Sequence, residues 1–306
     1  EFPIEEFTAL LKSQGLTEEE IKRELVAVLG AGSDDLALLG GASHGGLDSL
    51  CNSVIKVYTH MAEDSADAPW NAAEINEGTG SAFVIETKKG LRLLTNAHVI
   101  ASGIYITVSK HNSDSTDRPV AKVVAVDHGK DLALLEIADK SFLEGIEPVS
   151  FDSRPFPRKA DFMRLIGYPA GGNTLTVKEG KVSRVEIRES AHSSLDTLAV
   201  ETTAPIVEGN SGGPCFNELG EVLGVAYQRL AANDTIAYFI PGCVVFTFLE
   251  EYEKGAVHGS PVLGVSFQGL NPTLIKKHKL PSGFKGMLTT SVSPISPAKG
   301  VLNIGD

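Results

Sequence analysis

Three side chains spread along this chain, His98, Asp131 and Ser211, have the types and the order that can turn a hydroxyl into a nucleophile. A serine hydroxyl attacks poorly unless a base lies beside it. An imidazole can take its proton, and a carboxylate can hold that imidazole in the useful tautomer. Asp131 follows His98 by 33 residues, and Ser211 follows Asp131 by 80. His, Asp, Ser is one of the three chain orders in which this triad occurs. Any one of them alone reads as an ordinary structural polar residue. Each, however, sits in a recognisable context: TNAHVI, DLALLEI and EGNSGGP.

The last context carries most of the signal. Gly209, Gly212 and Gly213 around Ser211 allow conformations and approaches that a Cβ would forbid. A tight surface turn is the plain reading; a turn whose N–H groups point at a reacting oxygen is the chemical one. Gly209–Gly213 also fits the G-x-S-x-G elbow of α/β-hydrolases, which needs a helix after the serine and the order Ser, Asp/Glu, His. Here Gly212-Gly213-Pro214 starts a helix poorly and EVLGVAYQ follows. His258 and His278 lie downstream in no matching context.

The elements that must position these residues are mostly strands. From about residue 52 the chain runs through VIKVYTHM, SAFVIET, LRLLTN, GIYITVS, PVAKVVAV and DLALLEI. A second series follows: FMRLIGYP, LTVKEGKVSRVEI, TLAVETTA, GEVLGVAYQ and TIAYFI. Many short strands broken by turn residues predict an all-β barrel or sandwich rather than a parallel α/β sheet. PGCVVFTFLEEYEKG, with Pro241 ahead and Gly255 behind, predicts one closing helix. Ahead of the strands, Thr17 with Glu20 is a capping box, and Ile21, Leu25, Val28 and Leu29 form an apolar stripe. Residues 1–50 therefore read as a helical extension ending in a glycine-rich linker, GAGSDDLALLGGASHGG.

Composition narrows the class. The 306 residues are 42% hydrophobic and 22% charged, as in a globular protein, and no apolar run approaches a bilayer span. A formal charge of −12 opposes nonspecific binding to nucleic acid. Cys51, Cys215 and Cys243 cannot all pair and read as reduced thiols. His44, His60, His111, His128 and His192 show no metal-ligand spacing, so neither a metal nor a cofactor is expected. Glu1 stands where an initiator Met would, which reads as a processed or recombinant chain.

Together, TNAHVI, DLALLEI and GNSGGP resemble the chymotrypsin-fold proteases of the HtrA/Deg family, and YPAGG (168–172) with LGVSFQGL resembles its plant-type Deg branch. The likeness covers about residues 51–306. It implies two six-stranded antiparallel β-barrels over 51–254, with His98 and Asp131 on the first and Ser211 on the second. It further implies that His98 is the base, Asp131 its orienting carboxylate, and the N–H groups of Gly209 and Ser211 the oxyanion hole. Residues 259–306 resemble the first part of a PDZ domain, whose peptide-capturing loop would be Leu263-Gly264-Val265 and whose remainder would lie beyond Asp306.

The implied activity is ATP-independent endopeptidase action on unfolded or damaged proteins, in trimers or multiples of trimers. Loops around Gly209 and Gln228–Asp234 would gate it. A plastid or mitochondrial location is favoured, with the nucleus as another. The alternative from a different class is a chaperone-like member that holds misfolded clients with weak or latent proteolysis. Glu208 departs from the family's proline or basic residue ahead of the oxyanion glycine, and its carboxylate points either at the hole or to solvent. Trypsin-like specificity needs an aspartate six residues before the serine, where this chain has Pro205. Pro205, Ile206, Ala226 and Tyr227 instead predict an apolar pocket.

Overall fold

The computed structural model describes residues 44–63, 74–113, 118–154, 156–170, 172–230, 233–259 and 261–306. The extension expected over residues 1–50 therefore lies outside the described residues up to position 43. Two compact units follow, divided between Val257 and His258.

The larger unit holds two closed six-stranded antiparallel barrels. Barrel one comprises β1 (Val54–Glu63), β2 (Glu74–Thr87), β3 (Gly90–Thr95), β4 (Gly103–Ser109), β5 (Val120–Asp127) and β6 (Leu132–Ile137), in the order β1-β2-β3-β6-β5-β4. Barrel two comprises β7 (Phe162–Gly167), β8 (Thr176–Glu189), β9 (Asp196–Thr202), β10 (Pro214–Phe216), β11 (Val222–Leu230) and β12 (Asn233–Pro241), in the order β10-β11-β12-β9-β8-β7. Closure comes from β1 pairing with β4 and from β7 pairing with β10. Every sequence run named above forms a strand. The twelfth strand, β10, is only three residues long, too short for an alternating pattern to reveal.

The apolar runs are continuous because both faces of the strands are buried. Ile55, Val57, Ala82, Val84, Leu93, Ala133 and Leu135 form one cluster in barrel one. Their neighbours Val54, Phe83, Ile85, Leu94, Leu132 and Leu134 belong to a second cluster, shared with Ile166, Phe216, Val225 and Tyr238 of barrel two. Alternate side chains on a strand point to opposite faces, so one face fills the barrel and the other joins the barrels. Each fully buried aliphatic side chain contributes about 1.5–3 kcal/mol. The helix α3 (Gly242–Glu253) adds Val245, Phe248 and Tyr252 to the shared cluster. It starts on Pro241, as the sequence indicated, and Gly255 with φ +89° follows its end.

The linker expectation needs correction. Its end is helical: α1 spans His44–Asn52. Leu47, Leu50 and Cys51 share one face at helical spacing and pack on the shared cluster, and that burial overrides the helix-breaking Gly45 and Gly46. A buried lysine ties the barrels together: Lys56 Nζ of β1 donates to Gly172 O at 2.7 Å and to Asn173 Oδ1 at 2.8 Å, both in the β7–β8 loop. All three cysteines are free, with Cys51 and Cys215 buried and Cys243 half-buried.

The smaller unit, residues 258–306, pairs β13 (Val265–Gly269) with β14 (Met287–Val292) antiparallel, with α4 (Pro272–Lys277) between them in sequence. Gly264 takes φ +64°, and its carbonyl accepts from Ser293 N at 2.8 Å.

Candidate active site

His98 stands on α2, the single turn Ala97–Ile100 that follows β3. Its partner opens β6. Asp131 Oδ2 lies 2.7 Å from His98 Nδ1, and Asp131 Oδ1 accepts the backbone N–H of His98 at 2.8 Å. One carboxylate thus fixes both the ring and the backbone that carries it. Only 3% of the Asp131 side chain is exposed, against 30% for His98, so the buried acid presents a reachable base. Asp131 adopts φ +55°, in the left-handed region that aspartate tolerates better than most residues. The preceding β5–β6 turn is held by Lys130, whose N–H donates to Asp127 Oδ1 and whose ammonium pairs with Asp127 and Glu251. Asn96 Nδ2 donates to Asp131 O at 2.9 Å.

Ser211 occupies the tight turn ahead of β10. Gly209 and Gly212 both have positive φ, at +88° and +84°. A Cβ on Gly212 would stand 2.0 Å from Ser81 O and 2.3 Å from Thr95 Oγ1, so only glycine lets the turn press against barrel one. Ser81 of β2 is the joint. Its N–H donates to Ser211 O at 2.8 Å, and its hydroxyl donates to Gly209 O and accepts from Tyr168 N. Thr95, three residues before His98, donates its hydroxyl to Ser81 O at 2.7 Å. Through Ser81 and Thr95 the serine turn of barrel two is brought to the His98 segment of barrel one.

Among the described residues, the N–H groups of Gly209 and Ser211 have no intramolecular acceptor, although those of Asn210, Gly212 and Gly213 do. Two backbone donors left open beside a serine are the equipment for binding a developing oxyanion. The Ser211 hydroxyl itself donates to Tyr227 O at 3.3 Å and makes no hydrogen bond to His98. The Glu208 side chain is exposed, while its carbonyl accepts from Ala170 N at 2.7 Å.

The four pocket candidates separate. Ile206 and Ala226 are buried in the apolar cluster of barrel two. Tyr227 is buried in the shared cluster; its hydroxyl lacks a partner among the described residues, and burial pushes its pKa up. Pro205 is exposed. The proposed gating segment Gln228–Asp234 is interrupted, because residues 231 and 232 lie outside the described residues.

Sequence reasoning missed Ser81 and Asn96, which touch Ser211 and Asp131, missed Thr95, which acts through Ser81, and missed two histidines. His128 on the β5–β6 turn and His192 on the β8–β9 turn meet, with Nδ1 of the first 2.8 Å from Nε2 of the second. The His192 ring centroid lies 6.1 Å from that of His98. Burial lowers the His192 pKa, and His128 and His98 lower it further against an opposing pull from Asp131. The pair joins loops of different barrels, 64 residues apart, so no local spacing announces it.

Comparison with known proteins agrees with the geometry. Residues 80–225 match the trypsin-like peptidase domain. The chain is 41% identical over 263 residues to Protease Do-like 2, chloroplastic, of Arabidopsis thaliana, covering 84% of this chain and 42% of that protein. It is 38% identical over 264 residues to the putative protease Do-like 3, mitochondrial, of the same plant, covering 85% and 45%. It thus spans less than half the length of these relatives. Among solved structures, the HtrA-type protease AlgW with tripeptide superposes with a TM-score of 0.68 at 25% identity, over 85% of this chain and 79% of that one. With two closed barrels, a buried Asp131 on His98 and a glycine-shaped serine turn, the chain belongs to the HtrA/Deg family of trypsin-like serine endopeptidases, on its plant Deg branch.

Proposed function

We propose that this chain cleaves unfolded or damaged proteins without ATP, through an acyl-enzyme formed on Ser211. The observation that carries the reading is the buried Asp131 carboxylate on His98 Nδ1, which leaves Nε2 as the ring nitrogen able to take a proton. Ser211 Oγ attacks the scissile carbonyl as His98 Nε2 removes its proton. The tetrahedral oxyanion is met by the N–H groups of Gly209 and Ser211. His98 then gives its proton to the leaving amine, and water repeats the sequence to release the acyl group. Asp131 stays ionised and stabilises the imidazolium.

The proposed specificity pocket stays with Pro205, Ile206, Ala226 and Tyr227, although the fold places Pro205 at the surface, Ile206 and Ala226 in the barrel-two cluster and Tyr227 in the shared one. None carries a charge, and an unpaired Lys or Arg buried there would cost several kcal/mol. Cleavage is therefore expected after Val, Ile, Ala, Leu or Met. Apolar pockets separate such side chains by only about 1–3 kcal/mol per methylene, so the preference is broad. Mass spectrometry of casein fragments tests this: cut sites dominated by Lys and Arg would refute the pocket.

Residues 51–254 are assigned as the protease domain, 1–50 as a helical extension and 259–306 as the first part of a PDZ domain. Trimers or multiples of trimers and an organellar location follow from the resemblance; the relatives named above are described as chloroplastic and mitochondrial. One observation favours a second reading. The Ser211 hydroxyl donates to Tyr227 O rather than to His98, so a client can be held while the serine is unengaged. Casein turnover by the parent chain, compared with Ser211→Ala, separates the two.

A further inference from the structure

We propose that His128 and His192 form a binding site for Zn²⁺ or a similar borderline-soft divalent metal, spanning the two barrels beside His98. The two ring nitrogens already face each other at 2.8 Å. One carries the shared proton, yet each ring has a second nitrogen that can hold a proton instead, so both lone pairs can converge on one point without either ring being charged. Zn–N bonds of about 2.0–2.1 Å in tetrahedral geometry hold two nitrogens about 3.3 Å apart. The pair need part by only about 0.5 Å, and His128 is exposed while His192 is half-buried.

Both loops are built rather than slack. The His128 turn is fixed by Asp127 and Lys130. The His192 turn is fixed by Ser190, whose hydroxyl accepts the N–H groups of His192 and Ser193 and whose carbonyl accepts that of Ser194. Among the described residues no group of three or more His, Cys, Asp or Glu side chains is set to hold a metal, so water completes the coordination shell. Imidazole donors suit Zn²⁺ and Cu²⁺, whereas Mg²⁺ prefers oxygen ligands. A metal here acts as a brake. It clamps a loop of one barrel to a loop of the other across the His98 edge, and its charge opposes the imidazolium that forms when Ser211 is deprotonated. The brake rests on the triad reading above; the site does not.

Calorimetry on the Ser211→Ala protein tests the site independently of catalysis. One Zn²⁺ per chain is expected, with affinity falling at least tenfold in both His128→Gln and His192→Gln and with no heat from Mg²⁺. No Zn²⁺ binding, or binding that survives both substitutions, overturns the site. In the catalytically intact chain, Zn²⁺ should slow casein cleavage, and His192→Gln should remove most of that effect. Unslowed cleavage at saturating Zn²⁺ overturns the brake. A parent chain that cleaves nothing tells against the triad reading, and the calorimetry still decides the site.

Discussion

The hydroxyl of Ser211 donates to the carbonyl oxygen of Tyr227, 3.3 Å away, and not to the imidazole of His98. Engaging His98 requires the hydroxyl to leave Tyr227 O, and a serine side chain turns about χ1 in picoseconds to nanoseconds. The two oxyanion donors are already open on Gly209 and Ser211. Chemistry then needs no remodelling of the turn, and progress curves for casein cleavage should be linear from the first turnover. A lag, or activity that appears only after an activating peptide is added, would show that the turn must be rebuilt.

Asp131→Asn isolates the orienting carboxylate. Asparagine accepts the φ of +55° at this position, so the fold should survive, with an unchanged circular dichroism spectrum. The amide cannot both accept from His98 N–H and accept from Nδ1–H, and the imidazole settles in the wrong tautomer. A fall in kcat on the order of 10⁴-fold is expected, the size seen for the equivalent change in a trypsin-like template. A loss below tenfold would mean that His98 is oriented by something else.

Much of this was legible in the sequence, and the part that was not has a common cause. Strands buried on both faces announce themselves as apolar runs, so LRLLTN and DLALLEI marked β3 and β6 and the triad candidates at their ends. Three-residue β10 has no period to detect, and α1 was hidden by the glycines at its start. The polar joints Ser81 and Thr95 have ordinary contexts; their importance comes from what folding brings to them. His128 and His192 are 64 residues apart and meet only because barrel two closes against barrel one.

Gly212→Ala tests the joint itself. The positive φ alone costs a non-glycine residue about 1–3 kcal/mol. The added methyl also collides with Ser81 O and Thr95 Oγ1. Thermal melting should fall by several degrees and turnover should vanish. A variant that melts and cleaves like the parent would show that the turn does not press on barrel one as described.

Glu218 gives a pH signature. It lies in the β10–β11 turn, where burial raises its pKa and the nearby Asp161 raises it further, against a lowering by Lys181. The folded state therefore holds this proton more tightly than the unfolded state. Stability contributed by the protonated acid is present below the unfolded value of 4.5 and is lost as pH rises through the folded value. Glu218→Gln should raise the melting temperature at pH 7 and leave it unchanged near pH 4. An equal shift at both pH values would mean that ionisation is not the cause.

The central claim is that Ser211 is a nucleophile made reactive by His98. Labelling with a fluorophosphonate probe, followed by mass spectrometry of the digested protein, reads it directly. One adduct is expected, on the peptide containing Ser211, absent from Ser211→Ala and nearly absent from His98→Ala. An adduct on another residue, or undiminished labelling in either variant, would contradict the account.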